Sequence, residues 1–174
     1  MSCSSLTGGI AKDCDKNLGG IRKLWLILLD DIASITHSSP NNDITAITTD
    51  GGKDFYEFEF NRNTSNFTEV TANDPATGSS VVTQTLTLVL NKREQTKRDK
   101  LVTLGAFRDL VAIVLDYNGE YTVLGEYNGL ILTENNSETG TAKTDRNGYT
   151  ITFVGEEPEE ACFTNASVVN GIIA

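Results

Sequence analysis

A chain of 174 residues, 39% hydrophobic and 22% charged, is long enough to bury one core without disulfides or a metal and too apolar to stay disordered. Its 14 basic and 24 acidic residues leave a formal charge of −10, a field that repels nucleic-acid backbones and anionic lipid, so direct nucleic-acid or membrane binding is not expected. The longest apolar run, Leu24 to Leu29, is far short of a bilayer span, the first residues carry no signal-peptide pattern, and three irregularly spaced cysteines (Cys3, Cys14, Cys162) make no disulfide framework, which together predict a protein of the reducing cytoplasm.

Residues 1–20 mix four glycines with Ser, Asp and Lys and are too poor in apolar residues to supply core, so they are expected to form a flexible arm. Lys23 to Leu29 is apolar on both faces, the pattern of a strand covered on both sides, ended by Asp30 and Asp31. Phe55 to Phe60 alternates, with Tyr56, Phe58 and Phe60 on one face and Glu57 and Glu59 on the other, which predicts a half-buried strand. Val81 to Leu90 is a longer strand with Val82, Leu86, Leu88 and Leu90 on one face and Thr83, Thr85 and Thr87 on the other.

Asn91 followed by Glu94 then offers a helix N-cap, and a helix is predicted over about 92–105, with Gly105 as its C-cap and Leu101, Val102, Leu104 and Phe107 as anchors. Leu110 to Leu115 is an apolar strand, and Asn118-Gly119 predicts a hairpin to Tyr121–Leu124. Asn128-Gly129 leads into Leu130–Thr133, and Asn147-Gly148 precedes a further alternating strand, Tyr149 to Val154. Many short strands with one helix predict a mainly β protein, an antiparallel sandwich or barrel with one flanking helix over residues 21–155. Residues 156–174, opening on Glu156-Glu157-Pro158-Glu159-Glu160, are expected to be a C-terminal extension.

Residues for chemistry are few. The one histidine, His37, lies in a Ser/Thr/Asn/Pro-rich stretch read as a loop, so a Ser-His-Asp or Cys-His arrangement has little to build on. Cys and His never occur in the close pairs of a zinc site, Asp13-Cys14-Asp15 surrounds a thiol with charges that disfavour the thiolate, and Asp145-Arg146-Asn147-Gly148 lacks the remaining ligands of a calcium loop and reads as a turn. No nucleotide-binding glycine motif occurs. Glu57 and Glu59, about 7 Å apart on one strand face, are the one carboxylate pair suited to sugar hydrolysis, and a solvated or partner-facing strand is the simpler reading. No catalytic, cofactor or metal residues are therefore expected.

The charge distribution is informative, because residues 92–100 carry five basic and two acidic residues, net +3, leaving −13 for the rest. A basic face of Lys92, Arg93, Lys97, Arg98 and Lys100 is a candidate subunit interface, with Glu156, Glu157, Glu159 and Glu160 as its acidic counterpart on a neighbour.

From Thr85 onward the order of elements resembles small structural proteins of tailed phages, particularly those of Bacteroidetes hosts. The residues that carry this likeness are Asp116-Tyr117-Asn118-Gly119-Glu120-Tyr121, Leu124-Gly125, Asn128-Gly129-Leu130, Thr139-Gly140-Thr141-Ala142 and Asp145 to Phe153 after a long strand and a basic helix, and Gly19-Gly20-Ile21-Arg22-Lys23 resembles the opening of the same proteins. The resemblance spans roughly two-thirds of the chain, and its strand order is similar to tail-tube subunits.

It implies a virion tail protein, assembled in the host cytoplasm, that forms homo-oligomeric, hexameric rings. The rings stack around a β-lined channel through which DNA passes without specific binding, and they contact other tail proteins. The arm and the C-terminal extension would then clasp neighbouring subunits, and Glu57 and Glu59 are candidates to face the lumen. Alternatives are a tail completion or other ring protein, a carbohydrate-binding β-sandwich using Tyr117, Tyr121 or Tyr127 for stacking, and, third, a glycan hydrolase.

Overall fold

A computed structural model describes residues 8–12, 14–106 and 108–174. Residues 1–7 and Asp13 of the arm, Cys3 among them, and the expected helix anchor Phe107 lie outside the described residues.

In chain order the elements are β1 (Ile21–Leu28), a 3-10 turn (Leu29–Asp31), β2 (Ile32–His37), β3 (Ile44–Thr49), β4 (Tyr56–Glu57), β5 (Asn66–Asp74) and β6 (Ser79–Asn91). There follow α1 (Gln95–Leu104), β7 (Leu110–Asp116), β8 (Tyr121–Leu124), β9 (Ile131–Glu138), β10 (Gly148–Glu157), β11 (Cys162–Thr164) and α2 (Ala166–Val169). The first sheet has the order β11-β8-β7-β1-β4, the second β5-β6-β10-β9, and β2-β3 is a separate hairpin. Every strand pair is antiparallel and neither large sheet closes on itself, so the protein is a β-sandwich rather than a barrel.

The first sheet is the middle of three layers, which explains the apolar runs of β1 and β7. Successive side chains of a strand point to opposite faces. Leu24, Leu26, Leu110, Ala112 and Val114 accordingly meet Leu86, Leu88, Leu90, Tyr149, Ile151 and Phe153 of the second sheet. The intervening Trp25, Ile27, Val111, Ile113 and Leu115 pack on the other side against Ile44, Ile47, Phe55, Val169 and Ile172. Full burial of each such aliphatic side chain contributes about 1.5–3 kcal/mol, so both faces of the sheet are held.

The second sheet buries one face only, and β6 shows it: Val82, Leu86, Leu88 and Leu90 point inward as expected, joined by Gln84 at the same parity. The Asn118-Gly119 hairpin forms between β7 and β8, with Gly119 at φ 96° and Asp116 Oδ1 accepting from the Asn118 and Glu120 amides.

Several expectations are corrected. The helix begins at Gln95 rather than at residue 92, because β6 stays paired with β10 through Asn91 and Lys92 adopts a left-handed φ of 62°. Asn91 is thus the last strand residue, not the N-cap, and the first helical turn closes from Arg98 N–H to the Glu94 carbonyl. Of the anchors, Leu101 is buried, Leu104 is partly buried, and Val102 is 60% exposed.

The strand expected at Phe55–Phe60 is two residues long. Phe58 and Phe60 do pack on the inner core, but Tyr56 is exposed, and Phe55 turns the other way to bridge Ile173. Asp30 and Asp31 end β1 as expected, yet the following stretch returns as the β2-β3 hairpin, and His37 ends a strand instead of lying in a loop. Residues 156–174 are built into the fold: Glu156 and Glu157 complete β10, β11 pairs with β8, and Val169 and Ile172 are core. The described part of the arm has no regular structure before Ile21 and is tied by Asn118, which bonds Asn17 and the Leu18 backbone.

Candidate functional site

The second sheet presents its other face to solvent. Cross-strand register places Asn66 and Thr68 beside Thr87 and Thr85, these beside Thr152 and Val154, and Thr152 beside Glu134. Threonine is favoured here because its branched carbon suits a pleated surface while its hydroxyl stays solvated. The four strands contain six carboxylates (Glu69, Asp74, Glu134, Glu138, Glu156, Glu157) and no lysine or arginine.

Among the described residues no further strand pairs with the outer edge of the nine-residue β5 or of the eight-residue β9, the two edges of this sheet. The first sheet instead ends in strands of two and three residues, a usual way of blunting an edge. Beyond the sandwich the β5-β6 hairpin projects, with residues 70–81 exposed throughout, including Val70 and Val81.

The two candidate charged surfaces lie at opposite ends of this sheet. Asn91 pairs with Gly148 where α1 begins, whereas Glu157 pairs with Val82 nine residues along β10, about 30 Å away. At the helical end Lys97 reaches the carbonyls of Asn91 and Lys92 and pairs with Glu94 at 3.1 Å, holding the Glu94 carboxyl below its usual range. Lys92 also pairs with Glu94, at 3.6 Å, Arg98 pairs with its neighbour Asp99, and Arg93 and Lys100 are exposed.

A groove of about 800 Å³ opens between α1 and β4. Lys97, Lys100 and Arg108 line one side, Glu57 and Glu59 the other, over Leu28, Leu90, Leu101 and Leu110. Glu57 pairs with Lys23 at 3.0 Å. The residues expected to face a lumen therefore belong to the edge of the first sheet and share a groove with two of the candidate interface lysines, because β4 joins the edge of β1 rather than the second sheet.

At the other end Glu156, Glu159 and Glu160 are exposed, but Glu157 is 2% exposed and belongs to the interior. Its carboxylate accepts the backbone N–H groups of Tyr127, Asn128 and Gly129 at 3.0–3.2 Å. Burial raises its pKa, the three amides lower it, and the balance lies above the ordinary carboxylate value.

Gln84 is a second buried polar bracket, accepting from Gly125 N–H at 2.8 Å and donating to Glu69 at 3.0 Å. Residues 125–130 must lie tight against the sheet. A Cβ on Gly125 would stand 2.6 Å from the Leu110 carbonyl and one on Gly129 2.6 Å from Asp109, and both glycines have positive φ. Gln84 was detectable in the sequence as a polar residue at an inward-facing strand position; Glu157 was hidden in a run of charge.

This loop carries Glu126 to His37, Nε2 to Oε1 2.5 Å, with Cys162 Sγ alongside: the donor atoms of the three residues lie within 4.8 Å of one another. The sequence reading missed this cluster because its members are 89 and 36 residues apart. The tyrosines proposed for sugar stacking are separated by β8: Tyr121 stacks on Trp25 at the hairpin end, Tyr117 lies beside Gly20, and Tyr127, 49% exposed, lies past the other end. Asp145 is a turn residue, accepting from the Thr141 and Ala142 amides.

Among the described residues no helix is long and apolar enough to cross a membrane. Comparison with protein-family models, curated proteins and solved structures found no match to this chain.

Proposed function

We propose that this protein is a self-assembling structural subunit of a phage tail, a tail-tube-type ring protein whose second sheet forms the channel wall. One observation carries the reading: a sheet with no basic residue in four strands, a threonine-rich solvent face and two unpaired edges. An unpaired edge is a template for another strand. Joining β5 of one subunit to β9 of the next is a head-to-tail contact, which closes into a ring when the rotation allows.

With the six-fold ring that the resemblance implies, 24 strands about 4.8 Å apart give a circumference of about 115 Å and a backbone diameter of about 37 Å, more if the strands tilt. The four strands carry no lysine or arginine, and Arg146, which reaches this face at Thr150, is paired with Glu138, so the wall offers few phosphate contacts and DNA slides past it. The lumen would then be lined by Thr68, Thr85, Thr87 and Thr152, in place of Glu57 and Glu59. The basic helical end of one ring would meet the acidic Glu156, Glu159 and Glu160 end of the next.

Light scattering over a concentration series, followed by negative-stain imaging, tests this. Rings or tubes at a multiple of 18.9 kDa are expected. In β9 a proline at Asn135 or Asn136 removes an N–H directed to β10 in one case and to the free edge in the other. The free-edge variant should stay folded and fail to assemble. A monomer at every concentration, or rings unaffected by both prolines, would overturn the reading.

A further inference from the structure

We propose that His37 Nε2, a Glu126 carboxylate oxygen and Cys162 Sγ form a site for a zinc-like divalent cation, with its fourth position open to water; the site is independent of the assembly reading. The three ligands come from the end of β2, the β8-β9 loop and the start of β11.

The hydrogen-bond arrangement calls for a positive charge at this point. His37 Nδ1 lies 3.2 Å from the Asn42 carbonyl, which can only accept, so Nδ1 carries the proton. Nε2 then directs its lone pair at Glu126 Oε1, 2.5 Å away, and two acceptors that close need a proton or a metal ion between them. A histidine whose second ring nitrogen is held by a backbone carbonyl is the usual metal-ligating arrangement.

The third donor fixes the class of ion. Imidazole, carboxylate and thiolate together favour zinc over the oxygen-seeking magnesium and calcium. Zinc–ligand distances of about 2.0–2.3 Å place tetrahedral donors about 3.4–3.6 Å apart. Donors already within 4.8 Å reach that spacing by side-chain shifts of about 1 Å.

The surroundings draw in a cation. Glu126, Glu159, Asp43 and Glu69 lie around the Cys162 thiol, and among the described residues no lysine or arginine pairs with any of these carboxylates. Binding releases the thiol proton and the proton held between His37 and Glu126, leaving thiolate, neutral imidazole and carboxylate on the ion. The ligands are well supported: Glu157 and Gln84 fix the loop that carries Glu126, and Thr164 Oγ1 donates to the Ile44 carbonyl at 2.9 Å, tying β11 to β3.

The test is titration of the reduced full-length chain with zinc by calorimetry, and with cobalt(II) by absorption spectroscopy. Expected are one equivalent per chain, a thiolate-to-cobalt charge-transfer band, and a melting temperature raised by zinc and not by equal magnesium. Cys162→Ser should abolish the charge-transfer band, and Cys162→Ser, His37→Gln and Glu126→Gln should each weaken binding at least tenfold. A Cys3→Ser/Cys14→Ser double variant should keep both band and affinity. Circular dichroism of each metal-free variant separates loss of ligand from loss of fold. No uptake of zinc, a band that survives Cys162→Ser, or magnesium binding as tightly as zinc would overturn the proposal, the last by reducing the site to an acidic patch.

Discussion

Replacing Glu157 by alanine removes the acceptor of three backbone amides at once. Gly129 is buried, so its N–H would be left without a partner at about 1–3 kcal/mol, whereas Tyr127 and Asn128 are exposed enough for water to substitute, at about 0.5–1.5 kcal/mol each. Glu157→Ala should therefore destabilise by roughly 2–6 kcal/mol, a large part of a typical total of about 5–15 kcal/mol. Glutamine at the same position keeps an oxygen for Asn128 and Gly129, which share Oε1, and presents its NH2 to the Tyr127 N–H, so Glu157→Gln should cost only about 1–2 kcal/mol. Urea unfolding resolves this order: with a slope of about 2 kcal/mol per molar, the alanine variant shifts the midpoint by roughly 1–3 M and the glutamine variant by under about 1 M. Two variants of equal stability, or an alanine variant within about 0.5 kcal/mol of wild type, would refute the view that this carboxylate holds the loop.

Leu101 is the single buried residue of α1, so Leu101→Ala should cost about 2–5 kcal/mol in the same assay, while Val102→Ala, at 60% exposure, should stay within about 0.5 kcal/mol. The raised pKa of Glu157 means that the folded state holds its proton more tightly than the unfolded chain does. That contribution is fully present below the ordinary carboxylate value and lost as pH rises through the folded value, so the stability of wild type relative to Glu157→Gln should decline from mildly acidic to neutral pH in unfolding curves taken across that range.

What the sequence disclosed follows burial. β1 and β7 are covered on both faces and read as unbroken apolar runs, and β6 and β10 are covered on one face and alternate. β5 and most of β9 are exposed edge strands, so Asn66–Asp74 has no apolar period to reveal it, and β9 was expected to stop at Thr133. The β2-β3 hairpin was obscured because only Ile32, Ile35, Ile44 and Ile47 of its strands touch the core, among threonines and serines. The charge asymmetry at 92–100 was legible, but its pairing within the subunit, Lys97 and Lys92 with Glu94, was not separable from pairing across subunits. The His37, Glu126 and Cys162 cluster depends on three tertiary closures, which spacing along the chain does not encode.

The charge map also assigns opposite salt dependences to the two contacts of the proposed assembly. A seam between β5 and β9 joins two strands that contain no basic residue, Arg146 beside it is already paired with Glu138, and each subunit adds a formal −10 to the ring. Repulsion of this kind is screened as the Debye length falls from about 30 Å at 0.01 M to about 8 Å at 0.15 M salt. Ring closure should accordingly need less protein as salt rises. Stacking of the basic helical end on the acidic 156–160 end is an attraction, and the same screening weakens it. Light scattering and negative-stain imaging over a sodium chloride series should thus show the threshold concentration for rings falling while mean tube length per ring shortens. If rings instead dissociate as salt increases, a cationic surface lies in the lateral seam. The β5 and β9 edges would then not be what joins one subunit to the next.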